Sequence, residues 1–284
     1  MLNKEHIFPQ VFLRSWPFPR GSGFLAYWLF RNLSFAEKLA TVRTTDDFQI
    51  TVMPNDLIGR HIYLTGEFDR SNVEVLCNFA EPGDTLLDIG ANVGYVTACF
   101  LTKVPNSRAI SVEPQPEVLD LLRKNLTPFD GRAVVYPYAL SQQDGVSLLS
   151  IDPNNRGIAH ISESGTVSIE TRKVGTMLSE LAIDKIDLVK IDVEGHEEQI
   201  FSAGIEHFAR LQPKVILFEE HSDKSAGSIG SMLRDAGYEI YSLRKKLTRL
   251  DFVTVRSAAD CKSNDYVAVS TKRRLPTTAT SLYL

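Results

Sequence analysis

Residues 86–95 read LLDIGANVGY. Asp88 closes an apolar run, and Gly90, Asn92 and Gly94 then alternate before a helical pattern begins. Glycine, and Asn to a lesser degree, tolerates the left-handed backbone that lets a loop approach a ligand closely. Asp88 is placed to orient that loop. Glu113 ends the next apolar run, in VEP (112–114), where a carboxylate can accept hydrogen bonds from two ribose hydroxyls. Two acids at consecutive strand ends around a glycine loop predict a nucleotide-cofactor site. A dinucleotide fingerprint needs G-x-G-x-x-G. Counted from Gly90, its second and third glycines fall on Asn92 and Tyr95, which disfavours NAD. The spacing D-x-G-x-x-x-G (Asp88, Gly90, Gly94) is that of loops holding S-adenosylmethionine, which need no pyrophosphate cradle.

A second group of polar residues follows later. In VKIDVEGHE (189–197), Lys190 alternates with Asp192, so both point to one face of a strand. A buried Lys–Asp pair explains Lys190. Asp192 reads either as an acceptor-side base or orienter, or as a helix cap. Glu197 reads as a first-turn charge. His196 is a candidate base, with a surface residue as the plainer reading. Glu219, Glu220 and His221 end a further strand; Glu219 is a candidate catalytic carboxylate that orients the acceptor, and with Asp192 these residues form a candidate carboxylate site for Mg²⁺, the lesser option. Asn155, Arg156 and His160 fall on an extra β segment and are candidate acceptor contacts. Arg156 suits an anionic group by a bidentate contact, or is simply a solvated loop residue.

These residues need elements to hold them. Strands at 85–89, 108–114, 133–140, 186–192 and 214–221 alternate with helices at 94–104, 116–126, 174–183, 195–210 and 226–236. Apolar runs alternating with helices predict a three-layer α/β fold with a mostly parallel sheet. Strands at 238–244 and 265–270 lack an intervening helix and predict an antiparallel edge hairpin. DFQITVMP (47–54) and GRHIYLTG (59–66) read as two more strands, and 70–80 as a helix. The expected organisation is an N-terminal extension (1–46) with a short helix near 24–40, one domain (47–270) carrying extra strands in 141–173, and a tail (271–284).

Composition narrows the function. The 284 residues carry a net charge of −4, so no overall basic face invites nucleic acid. RKKLTR (244–249) is a local basic patch that reads as a solvated hairpin. The three cysteines are scattered without CxxC spacing, which fits a reduced, cytoplasmic setting. FLAYWLF (24–30) is too short to span a bilayer. It reads as core or packing surface, with a membrane-surface helix as the alternative.

The chain resembles FkbM-type class I methyltransferases. The resemblance rests on PGDTLLDIGANVGY (82–95), VEP (112–114), LLRKNL (121–126), YALS (138–141), NRG (155–157) and VKIDVEGHE, with ILFEEH (216–221) a looser match. Arg156 departs from the pattern, since a small hydroxyl residue is more usual there. The resemblance implies a Rossmann-like seven-stranded sheet and S-adenosylmethionine as cofactor. It implies methyl transfer to a hydroxyl of a small molecule, such as a saccharide or polyketide, and the Ala139 backbone near the adenine. The alternatives are an NAD-dependent oxidoreductase, a cofactor-binding module without turnover, and RNA methylation.

Overall fold

The computed structural model describes residues 4–152, 155–220, 225–256, 260 and 263–274. Two helices, α1 (Lys4–Arg14) and α2 (Ser22–Phe30), open the chain, followed by the hairpin β1 (Ala40–Arg43) and β2 (Gln49–Val52). Next come α3 (Leu57–Thr65), α4 (Arg70–Phe79), β3 (Thr85–Ile89), α5 (Tyr95–Lys103), β4 (Arg108–Val112), α6 (Pro116–Leu126) and β5 (Ala133–Tyr136). A separate set of strands follows: β6 (Ala139–Leu140), β7 (Gly145–Asp152), β8 (Asn155–Ile161) and β9 (Val167–Arg172). The chain then runs through α7 (Val174–Glu180), β10 (Leu188–Ile191), α8 (Glu197–Leu211), β11 (Val215–Glu219) and α9 (Ser225–Asp235). It finishes with β12 (Tyr238–Lys245), β13 (Leu250–Thr254) and β14 (Asp265–Ser270).

Among the described residues the main sheet has eight strands in the order β13-β12-β14-β11-β10-β3-β4-β5. The run from β11 to β5 is parallel, and β14 enters antiparallel between β11 and β12. This is one strand more than expected, because β13 pairs outside β12 as a hairpin partner. Side-chain alternation along the central strands feeds two cores. Leu86 and Leu188 pack with α4, α5 and α6 on one face. Leu87, Ile89, Val189 and Ile191 pack with α7, α8 and α9 on the other. That is the three-layer arrangement the alternation predicted.

Three expected elements differ. GRHIYLTG lies in helix α3, not in a strand. Asp56 caps it, its Oδ2 accepting from Ile58 N at 3.1 Å and Gly59 N at 3.4 Å, and Gly66 ends it at φ 75°. Capping at both ends, with Ile62 and Thr65 buried one turn apart, outweighs the β propensity of Ile and Tyr. The strand expected over 133–140 is two strands in two sheets. Pro137 has no N–H to continue the ladder, and β6 leaves to pair with β9. The N-terminal helix ends at Phe30, and α1 precedes it. Of the expected tail, residues 275–284 lie outside the described residues.

Candidate active site

The order of the parallel strands reverses between β3 and β10. Loops leaving the carboxyl ends of these strands diverge there and leave a crevice. A cavity of about 430 Å³ occupies it, within the ~300–1,000 Å³ of small-molecule sites. The β6–β9 sheet covers one side through Leu149 and the residues of β8, and α3 covers another through Leu57, Ile58 and His61.

The glycine loop forms the floor. Gly90 N and Ala91 N both donate to Val112 O, at 3.0 and 3.1 Å, which ties the loop to β4. Gly90, Asn92 and Gly94 take φ of 77°, 50° and 85°, the left-handed conformations their residue types suit. Gly90 is required by a neighbour: a Cβ there would lie 1.9 Å from Asp192 O. Gly94 and Asp88 are absent from the lining. A Cβ on Gly94 would meet Leu122 Cδ1 at 2.6 Å, so it lets α5 approach α6. Asp88 is 0% exposed and accepts from Thr97 Oγ1 at 2.6 Å.

Glu113 lines the cavity and braces the loop. Its Oε2 accepts from Asn92 N and its Oε1 from Gln115 N, each at 2.9 Å. Burial pushes its carboxyl up to about 7, against those two amide bonds. Each oxygen keeps further acceptor capacity toward the cavity. Ala139 and Tyr138 form the adjoining wall. Tyr138 and Asn155 line the cavity, while the Tyr138 hydroxyl and Asn155 Oδ1 themselves are buried without a hydrogen-bond partner.

Against the loop lies a cluster of acids. The β3–β10 register sets Lys190 beside Asp88. The Lys190 ammonium is nearly buried, 3.1 Å from Asp192 Oδ2, 3.6 Å from Asp88 Oδ1 and 3.3 Å from Gly90 O. Burial opposes its charge, but Asp192, Asp88 and Asp69 outweigh burial and raise its pKa. Asp192 therefore belongs to this ion pair. The loop before α8 is held by Glu197, whose Oε1 accepts from Val193 N at 3.1 Å. Glu219 also lines the cavity, and burial, then repulsion from Asp192, Asp265 and Glu194, pushes its carboxyl up to about 8. His196 is half-buried in the same wall, with Nε2 2.9 Å from Ser141 Oγ. Burial lowers its pKa.

The remaining candidates divide. Asn155 and His160 line the cavity; His160 Nδ1 sits 3.1 Å from Ile158 O. Arg156 lines it too, but its guanidinium binds Glu117 Oε2 through Nε at 3.0 Å and Nη2 at 2.8 Å. His221 lies outside the described residues. Among the described residues no group of three or more His, Cys, Asp or Glu side chains is arranged to hold a metal. Sequence reasoning missed Asp69, Lys245 and Asp265, which enter the cavity from α4, β12 and β14. Lys245 belongs to the patch read as a solvated hairpin, yet its ammonium lies 2.6 Å from Asp265 Oδ1.

The strand order β5-β4-β3-β10-β11-β14-β12, with a glycine loop after β3 and an acid after β4, defines the class I methyltransferase fold. The methyltransferase FkbM domain matches residues 88–240, more than half of the chain, and the chain belongs to that family. Hexuronic acid methyltransferase AglP of Haloferax volcanii is 28% identical, over 75% of this chain and 86% of its own. 2-O-methyltransferase NoeI of Sinorhizobium fredii is 27% identical, over 53% and 68%. 31-O-demethyl-FK506 methyltransferase FkbM of Streptomyces tacrolimicus is 24% identical, over 70% and 89%.

Proposed function

We propose that this methyltransferase moves a methyl group from S-adenosylmethionine to a hydroxyl of a saccharide or natural product. The observation that carries the reading is that one cavity gathers two sets of side chains of different chemistry. The loop at Gly90–Val93, Glu113, Tyr138 and Ala139 form a set suited to a nucleoside. Glu113 would take the ribose hydroxyls. Asp69, Asp192, Glu219 and Asp265 form a set rich in acceptors, suited to a polyhydroxylated molecule. The names of the three relatives, which specify a hexuronic acid, a 2-O position and a 31-O position, support a hydroxyl acceptor.

When bound, S-adenosylmethionine supplies an electrophilic methyl on a sulfonium, so its departing sulfur needs no acid. The protein's work is to position the acceptor oxygen in line and to exclude water. It also has to receive the hydroxyl proton. Asp192, fixed by Lys190, orients the acceptor hydroxyl and accepts its proton. Glu219, whose carboxyl holds its proton up to about 8, is the second acceptor for that proton once deprotonated above that pH. His196, held by Ser141, is the third.

Calorimetry with S-adenosylmethionine and with NAD, followed by mass spectrometry of saccharide and polyketide acceptors for a methyl gain, tests the reading. Binding of S-adenosylmethionine alone is expected. Asp192→Asn should leave that affinity unchanged while cutting turnover by about 10²–10⁴, the usual contribution of a positioned base. Wild-type turnover in Asp192→Asn would move the proton to Glu219 or His196. Binding of NAD in place of S-adenosylmethionine would overturn the proposal.

A further inference from the structure

The first two helices each present an apolar face to solvent. α1 buries His6, Gln10 and Leu13 and directs Ile7, Phe8, Val11 and Phe12 to solvent. Its rotation is fixed by polar contacts: His6 Nδ1 lies 3.3 Å from the Tyr63 hydroxyl, and Gln10 Nε2 donates to Tyr63 O at 3.0 Å. The outward residues recur at i, i+1, i+4 and i+5, which is one face of a helix. α2 repeats the pattern. Ser22 and Ala26 are buried, while Phe24, Tyr27 and Trp28 are exposed at 70%, 55% and 64%. Of the readings of FLAYWLF as core or packing surface, Phe24, Tyr27 and Trp28 therefore fit a surface. Both helices pack on each other and on α3, and Gly23 holds α2 so close to His61 that a Cβ would lie 2.2 Å from the ring. Apolar stripes held outward by satisfied polar contacts mark an interaction surface.

Three observations select the partner. The exposed residues are mainly Phe, Tyr and Trp, the side chains that settle at the headgroup level of a bilayer. Residues 1–43 carry six basic side chains against two acidic ones (Glu5 and Glu37), in a chain of net charge −4. Arg20 and Arg43 are ion-paired with Glu74 and Asp47, while Arg31 and Lys38 are exposed. That local excess complements anionic lipid and would oppose itself across a two-fold contact between copies. Among the described residues no helix is long and apolar enough to cross a membrane, so these helices would lie on its surface.

We propose that α1 and α2 form a peripheral docking surface for an anionic lipid bilayer. Because α3 supports both helices and also lines the cavity through Leu57, Ile58 and His61, the docking surface and the active site share a supporting helix.

Vesicle sedimentation with the full chain tests this. The wild type should pellet with vesicles of phosphatidylcholine plus phosphatidylglycerol, bind phosphatidylcholine alone more weakly, and release as salt rises. Trp16→Phe leaves Trp28 as the sole tryptophan, and its emission should shift to the blue on binding. The triple variant Phe8→Ser, Phe12→Ser, Trp28→Ser should lose at least about tenfold in partitioning, with melting temperature unchanged. Wild-type protein left in the supernatant with anionic vesicles would overturn the proposal, as would equal binding by the triple variant. A dimer that the triple variant dissociates, without vesicle binding by the wild type, would assign the face to a second copy of the chain.

Discussion

Glu219 sits where burial and three neighbouring carboxylates act in the same direction, and Lys245 opposes them. Its folded carboxyl holds a proton up to about 8, against an ordinary 4.5. A raised pKa means that this residue's contribution to stability is complete below 4.5 and is lost as pH rises to about 8. Glu219→Gln removes that titration. Its melting temperature relative to wild type should therefore climb across the window, the variant gaining most above pH 8; a difference independent of pH would show that the carboxyl is not held protonated. Turnover should rise through the same window if Glu219 receives the acceptor proton. Glu113, Asp192 and Glu219 were legible in the sequence because each follows the C-terminal end of an apolar strand run. Asp69, Lys245 and Asp265 were not. Lys245 and Asp265 belong to antiparallel strands whose distance from β10 depends on strand order, and Asp69 enters from the N-cap of α4. No local spacing marks any of them.

The loops after β3 and β10 interlock as elements. Gly90 faces the Asp192 carbonyl, and Glu194 and Gly195 beyond it both take left-handed conformations, at φ 54° and 94°. The sequence marks Gly90 as a glycine that must be small, but not for which neighbour; the close approach is to backbone in another loop. Gly90→Ala must displace that carbonyl as well as adopt a positive φ. Gly195→Ala meets nothing within 4 Å and bears only the left-handed cost of about 1–2 kcal/mol. Chemical denaturation should therefore separate the two, with Gly90→Ala in the exceptional range above ~4 kcal/mol and with weakened S-adenosylmethionine binding. Equal losses would mean that the loops part without strain. The misreading of α3 has a similar origin. Its apolar residues fit either period, and only Asp56 and Gly66, read as caps, decide for a helix.

The main sheet and the β6–β9 sheet both line the cavity, and alternation of strands with helices was enough to predict only the larger. Its strand order, the eighth strand and the closure of the crevice by the β6–β9 sheet are matters of long-range pairing. One carboxylate spans that closure. Asp56 Oδ2 caps α3, while its Oδ1 accepts from Arg156 N at 2.7 Å, on β8. The Arg156 side chain then reaches Glu117 in the first turn of α6. The exposed Arg156–Glu117 pair contributes little by itself, so Asp56 is the stronger tie between α3 and the cover. Asp56→Ala should cost about 0.5–2 kcal/mol as a lost cap, and hydrogen exchange should show where the loss falls. Without ligand, amides of β8 and the first turn of α3 should exchange faster than in wild type, while β3 and β10 stay protected, because their bonds lie inside the central sheet. S-adenosylhomocysteine should slow exchange at β8 and across Gly90–Val93 in the wild type, and should restore less protection to β8 in the variant. Exchange at β8 indifferent both to Asp56 and to ligand would mean that the cover is held by its own sheet alone. Access to the cavity would then have to be controlled by α3 and α4 on the other side.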